Sequence, residues 1–240
     1  HARMLELGYA FWERGFEVVP FEFAALCRGD LDPWLDRDLP AVVVGHIAAV
    51  RRALEIAGCP PPEVPDFPPA LLPWVGRALS RSTLGEVRRR LELEPEAFPL
   101  HVKPALDDRL FQGTLIRAFA DLIPLAAVDP TAEVLVQEPV QFVSEWRAYV
   151  QAGEILRVCN YQGDPLRFPD RGVLEAGLAA FEDAPTAYGA DWGVTRGGET
   201  LLVEVNDASA LGNYGLHGHE MAGFMEARWR ELTRGRRSSP

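Results

Sequence analysis

Lysine is nearly absent from this chain: of its 24 basic side chains only Lys103 is a lysine, and the rest are arginines. Cysteine is scarce too, and Cys27, Cys59 and Cys159 are far apart, odd in number and without metal-ligand spacing. They read as small buried hydrophobes in a reducing compartment, which excludes a disulfide scaffold and points to a cytoplasmic protein. No apolar run reaches membrane-spanning length, and the first residues lack the charged, apolar, small order of a signal peptide. Positive charge as a whole is in short supply. A net charge of -11 and a pI near 5.0 exclude a general nucleic-acid footprint and an anionic membrane partner, since both need a basic face. Two phosphate-binding motifs are missing as well: there is no Gly-x-x-x-x-Gly-Lys-Ser/Thr and no Gly-x-Gly-x-x-Gly.

With 240 residues, 48% of them hydrophobic, the chain can bury a substantial core as one large domain or as two lobes sharing a cleft. Leu5, Tyr9, Phe11 and Trp12 recur at helical spacing before Gly15, and Phe16 to Phe21 reads as a strand. A second unit runs from the strand-like Ala41 to Gly45 into a helix bearing Val50, Ala53, Leu54 and Ile56. The proline-rich stretch from Pro60 to Pro73 then forms a connector. Helical patterning resumes over Leu79 to Leu91, where Arg88-Arg89-Arg90 reads as a solvated face.

Strands dominate from Phe98 onward. Phe98 to Pro104 and Gly113 to Ile116 flank a polar loop containing Asp107, Asp108 and Arg109, with Lys103 at its entrance. An ammonium is a compact charge on a flexible stem, suited to following a phosphate, where arginine offers a rigid fork. Glu133 to Glu138 is a further strand, and Trp146 to Val150 with Ile155 to Cys159 form a hairpin turning at Gly153. A helix spans Gly172 to Ala184 through Leu174, Leu178 and Phe181.

The densest chemistry lies in Asp191 to Asp207. Gly197-Gly198 between two strand-like runs is a hairpin signal, and the register it sets puts Asp191 opposite Glu204. Alternation then brings Glu204 and Asn206 to one face and sends Val203 and Val205 to the other. Opposed carboxylates repel, so a cation between them is expected. An all-oxygen set of two carboxylates and an amide suits magnesium together with substrate phosphates. The alternative is a solvated hairpin tip. His217-Gly218-His219 with Glu220 lacks a third ligand at recognisable spacing, and Tyr214 reads as a packing residue near a helix start.

Taken in order, four pieces resemble the ATP-grasp superfamily, in particular small RimK-like and tubulin-tyrosine-ligase-like ligases. They are Val102-Lys103-Pro104 with a loop closing at Phe111-Gln112-Gly113, Val136 to Val140 followed by Glu145-Trp146-Arg147, Asp191-Trp192-Gly193-Val194, and Glu204-Val205-Asn206-Asp207. The resemblance implies an α/β (α+β) ATP-grasp fold: a small N-terminal α/β lobe over residues 1–75, then two α+β subdomains over 76–235 with the nucleotide between antiparallel sheets. It further implies that Lys103 holds nucleotide phosphates, and that Gln137, Glu138 and Val140 form the adenine hinge. Glu145 would contact ribose or substrate, and Arg147 and Arg157 would neutralise the terminal phosphate or acyl phosphate. Asp191, Glu204 and Asn206 match the Mg2+ ligands. Family members often supply a second phosphate lysine, which this chain lacks, and Arg109 is the candidate replacement.

The activity so implied is ATP- and Mg2+-dependent joining of a carboxylate to an amine, with a peptide or protein end among the substrates. Two alternatives use the same scaffold: a nucleotide- or partner-binding module without turnover, and a phosphotransferase. Lys103→Arg tests the phosphate role. Weaker ATP binding and slower ADP release are expected, and unchanged values of both would show that the ammonium is not required.

Overall fold

The computed structural model describes residues 2–35, 41–62, 65–105 and 110–234. In chain order the helices are α1 (Ala2–Glu13), α2 (Phe23–Arg28), α3 (Asp32–Leu35), α4 (Ile47–Ile56), α5 (Leu84–Leu93), α6 (Arg171–Ala180) and α7 (Gly218–Leu232). The strands are β1 (Leu79–Thr83), β2 (Leu100–Pro104), β3 (Thr114–Ile116), β4 (Glu133–Gln137), β5 (Phe142–Gln151), β6 (Glu154–Gly163), β7 (Ala187–Thr195) and β8 (Thr200–Asp207). They form two compact units, one of residues 1–75 with 142–240 and one of residues 76–141.

The smaller unit is an antiparallel sheet in the order β1-β4-β2-β3. Its pattern follows from alternation: Leu100 and Val102 on β2 and Val134 and Val136 on β4 are buried with Leu84, Val87 and Leu91 of α5. His101 and Lys103 therefore lie on the opposite face. The expected helix over 79–91 is corrected here, because its first five residues form β1, paired with β4 along its whole length. A capping box marks the change. Thr83 Oγ1 accepts from the Glu86 N–H at 3.2 Å, and the Glu86 carboxylate accepts from the Thr83 N–H at 3.0 Å. Within the basic run Arg89 and Arg90 are exposed, while Arg88 donates to the Leu125 carbonyl at 2.7 Å.

The larger unit is built on an antiparallel sheet in the order β6-β5-β7-β8. The β5–β6 hairpin turns through Ala152 and Gly153, both at positive φ. One sheet face, with Ala148, Val150, Ala190 and Trp192, packs against Leu71 of the 3-10 helix Pro69–Trp74 and Leu174 of α6. On the other face Tyr149 and Cys159 join Leu7, Ala10 and Phe11 of α1 and Met221, Phe224 and Met225 of α7.

The two N-terminal segments expected as strands, 16–21 and 41–45, run as extended chain without ladder partners among the described residues. Val18 and Val19 are exposed, so nothing buries the apolar face that a strand would need, and Val42 and Val44 lean singly on the α1–α7 core. Cys59 and Cys159 are buried, but Cys27 is exposed, against expectation. No helix among the described residues is long and apolar enough to cross a membrane.

Arg228 fastens α7 to the sheet. Its guanidinium meets Asp207 Oδ2 at 2.6 Å and Glu231 Oε2 at 2.6 Å, and Glu231 in turn accepts from the Thr186 N–H at 2.9 Å. Removing one partner of a buried ion pair leaves the others uncompensated, so Arg228→Ala is expected to lower unfolding stability by about 3 kcal/mol in denaturant titration. A loss below roughly 0.5 kcal/mol would show that the network contributes nothing.

Candidate functional site

Register assembles the central cluster. Arg147 on β5 pairs with Asp191 on β7, and Asp191 pairs with Glu204 on β8, while Gly189 faces Asn206. Side chains two apart on one strand share a face, so Arg147, Asp191, Glu204 and Asn206 converge. The expected opposition of Asp191 and Glu204 is reached by a different route. Nearer the turn Trp192 pairs with Leu202, and Val203 is the extra residue of a bulge that restores the register beyond it. The turn itself closes with the Thr195 N–H on the Glu199 carbonyl and Gly198 at φ 90. Val205 is buried as expected, and Val203 only half so.

The cluster is tightly hydrogen-bonded. Arg147 Nε donates to Asp191 Oδ1 at 2.7 Å and Nη2 to Oδ2 at 2.6 Å, a bidentate fork around a carboxylate only 2% exposed. Asn206 Nδ2 donates to Glu204 Oε1 at 3.1 Å and lies 3.4 Å from Asp191 Oδ2. Gly189 makes room beneath: a Cβ there would sit 2.7 Å from Leu211 Cδ2 and 3.2 Å from Arg147 Cδ. Burial pushes the Asp191 carboxyl up to about 6, against the pull of Arg147. Burial also opposes the charge on Arg147, but Asp191 overcomes it and holds the guanidinium above its ordinary range. These two shifts point in opposite senses for one pair. With both carboxylate oxygens engaged by the fork, we take the pair as ionised at neutral pH.

Around this pair stand groups that sequence reasoning passes over. Tyr161 on β6 donates its hydroxyl to Glu145 Oε2 at 2.7 Å, and its ring stacks on Tyr214 with centroids 4.9 Å apart. The Tyr214 ring centre is 4.7 Å from the Arg147 guanidinium carbon. Burial, then the charges of Asp191, Glu145 and Glu204, holds the Tyr161 hydroxyl far above its ordinary range. Alternation along β5 and β6 puts Tyr161 near this face, yet its partners depend on a bulge that no local pattern announces. Arg157 is turned to Glu220 of α7, with both contacts at 3.1 Å, and is not brought to Asp191. His217 caps α7, and no group of three His, Cys, Asp or Glu able to hold a metal occurs among the described residues.

In the smaller unit Lys103 is half-buried on β2 opposite Leu135. The returning hairpin strand crosses it closely, since a Cβ on Gly113 would lie 2.8 Å from the His101 ring and 3.4 Å from Lys103 Cβ. Gln137, buried, accepts from Arg77 Nε at 2.7 Å and meets His101 Nδ1 at 3.1 Å. Glu138 accepts from the Ala78 N–H at 3.0 Å, and Val140 is half-buried. Nothing in the sequence around Arg77 signals its contact with Gln137. Arg109 lies outside the described residues.

Two antiparallel sheets, one with a lysine at a hairpin entrance and the other with opposed carboxylates, define the ATP-grasp class of fold. Residues 74–223 match a family model of the ATP-grasp domain, family 2 of its clade, and the chain belongs to that family. No curated protein matches it in sequence. Among solved structures it is similar to the ATP-grasp ligase PsnB complexed with minimal precursor, at 17% identity and TM-score 0.41, over 63% of this chain and 54% of that one. It is also similar to the macrocyclase MdnC bound with precursor peptide MdnA from Microcystis aeruginosa MRC, at 14% identity and TM-score 0.45, over 74% and 69%. A third is the D-alanine–D-alanine ligase from Bacillus anthracis, at 16% identity and TM-score 0.43, over 80% and 66%. The chain thus spans about half the length of the first of these.

The donor set fits magnesium and not zinc. Asp191 and Glu204 supply hard carboxylate oxygens, Asn206 adds an amide, and no sulfur or imidazole stands with them. The raised Asp191 value carries a sign. A folded-state value of about 6 above an ordinary 3.8 means that the folded chain binds this proton more tightly, so stability falls as pH rises between those values. Relative to Asp191→Asn, the wild-type unfolding free energy is expected to decline from about pH 4 to about pH 6 and then level. A constant difference across that window would mean that Asp191 ionises normally.

Proposed function

We propose that this protein is an ATP- and Mg2+-dependent ligase that joins a carboxylate to an amine. Membership of the ATP-grasp family supports the nucleotide, and the observation that carries the reading is the convergence of Asp191, Glu204 and Asn206 beside Arg147 on one sheet face. In the reaction a substrate carboxylate oxygen attacks the γ-phosphorus of ATP and ADP leaves. The amine nitrogen then attacks the acyl carbon, phosphate departs, and the nitrogen loses a proton. No protein nucleophile is needed, so catalysis is positioning and charge neutralisation.

Asp191, Glu204 and Asn206 would hold the magnesium, which spreads the negative charge of the transferring phosphoryl group. Lys103 would bind the nucleotide phosphates, with Arg109 as the second cation. Gln137, Glu138 and Val140 would border the adenine; the Gln137 and Glu138 side chains are already committed to Arg77 and Ala78, which favours their backbone groups as the contacts. Three of the five N–H groups of Arg147 are engaged, by Asp191 and, at 3.4 Å, by the Gly212 carbonyl. Two remain for a phosphoryl or acyl-phosphate oxygen. Arg157 would join it only by leaving Glu220. In this reading residues 1–75 form the N-terminal lobe and 76–235 the ATP-grasp body.

The tight Arg147–Asp191 fork favours one second reading, a nucleotide-binding module that keeps the fold without turnover. Thermal unfolding with ATP and Mg2+ tests the nucleotide itself, and the absence of stabilisation would sink both readings. ADP release that requires added carboxylate and amine and is lost in Glu204→Ala is the result expected of a ligase. Stabilisation without ADP release under any pairing is the result expected of the silent module.

A further inference from the structure

The β5–β6 ladder slips between Glu145 and Trp146, and Tyr161 is the residue the slip leaves unpaired. Bulges re-aim a side chain, and this one is braced to do so. Asn160 Nδ2 donates to the carbonyls of Glu145 at 3.1 Å and Gln162 at 2.9 Å, the backbone groups that the lost pairing would leave open. Re-aimed in this way, the Tyr161 hydroxyl holds Glu145 Oε2, while Gln162 Nε2 holds Oε1 at 3.2 Å. Both carboxylate oxygens are thereby oriented, and each retains a lone pair for a further donor.

Tyr214 is latched from the other side. The buried Tyr149 hydroxyl accepts from the Tyr214 N–H at 2.7 Å and donates to the Gly212 carbonyl at 3.0 Å. Asn213 Oδ1 accepts from the Gly215 and Leu216 N–H groups, both at 2.9 Å. A ring fixed by so many backbone contacts and yet 42% exposed does little for the core. It stands beside an oriented carboxylate, and the nearby guanidinium is already balanced by Asp191.

An aromatic face next to a carboxylate attracts ammonium ions by quadrupole and charge together. We propose that Tyr214 and Glu145 form the subsite for a primary ammonium group, with Tyr161 as the positioning residue that couples them. Identifying that group with the amine-bearing substrate rests on the ligase reading. The subsite itself does not. Tyr161 is half-buried between the two and stays protonated, so it acts as a donor to Glu145 throughout.

The probe is n-butylammonium, with n-butanol as its neutral counterpart, observed by saturation-transfer NMR on the full chain without nucleotide. Transfer to the ammonium in preference to the alcohol is expected. Tyr214→Ala should weaken ammonium binding about two- to fivefold, and Tyr214→Phe, which keeps the ring, should retain it. Glu145→Gln should abolish the preference over the alcohol. Equal transfer to both probes, or ammonium binding unchanged in Tyr214→Ala, overturns the subsite. MgATP stabilisation measured on the same samples separates the two claims: stabilisation without ammonium selectivity defeats the subsite alone, and selectivity without stabilisation defeats the ligase reading alone.

Discussion

Placing a guanidinium and a carboxylate side by side on a sheet face, both withdrawn from water, constrains everything around them. The Arg147–Asp191 pair can persist only because β5 and β7 are neighbours in register and because Asp191 commits both oxygens to the fork. Removing either partner would strand a buried charge, a loss of about 3–5 kcal/mol in comparable pairs. The surrounding features answer to that requirement. Gly189 leaves space for the arginine stem, Tyr214 lies against the guanidinium, and Asn206 shares its amide between Asp191 and Glu204.

That arrangement also explains how a catalytic face can be stable before any ligand arrives. Asp191 and Glu204 are opposed across the ladder, which like charges disfavour. Arg147 and Asn206 relieve the repulsion within the protein, so the face is organised without an external cation. The same pairing limits the chemistry. Arg147 keeps two N–H groups for an anion, and any metal bound by Asp191 would share that carboxylate with the fork. Both the ligase reading and the silent-module reading start from this one fact.

Much of this is legible in the sequence where the signals are local. Alternating apolar residues and the Gly197-Gly198 turn put Asp191 opposite Glu204, although a bulge at Val203, invisible to simple alternation, is what preserves that pairing. The β2–β3 hairpin around Lys103 follows from composition in the same way. What escapes is non-local. That Arg147 lies across from Asp191 depends on β5 sitting between β6 and β7, and Tyr161 reaches Glu145 only through a bulge. Residues 79–83 resemble helix in isolation because β1 gains its stability from β4, far along the chain, though Thr83 and Glu86 do carry a capping signature at the true boundary. The N-terminal strand signals fail for the converse reason: apolar runs without a partner strand remain extended chain.

The central claim is that Asp191, Glu204 and Asn206 form the metal face of a nucleotide-dependent enzyme. Electron paramagnetic resonance of Mn2+, titrated with a non-hydrolysable ATP analogue, addresses it most directly because Mn2+ reports its own oxygen ligands. The account predicts a bound Mn2+ signal that requires the nucleotide and is lost in Glu204→Ala. Nucleotide-dependent Mn2+ binding of equal strength in Glu204→Ala would contradict it.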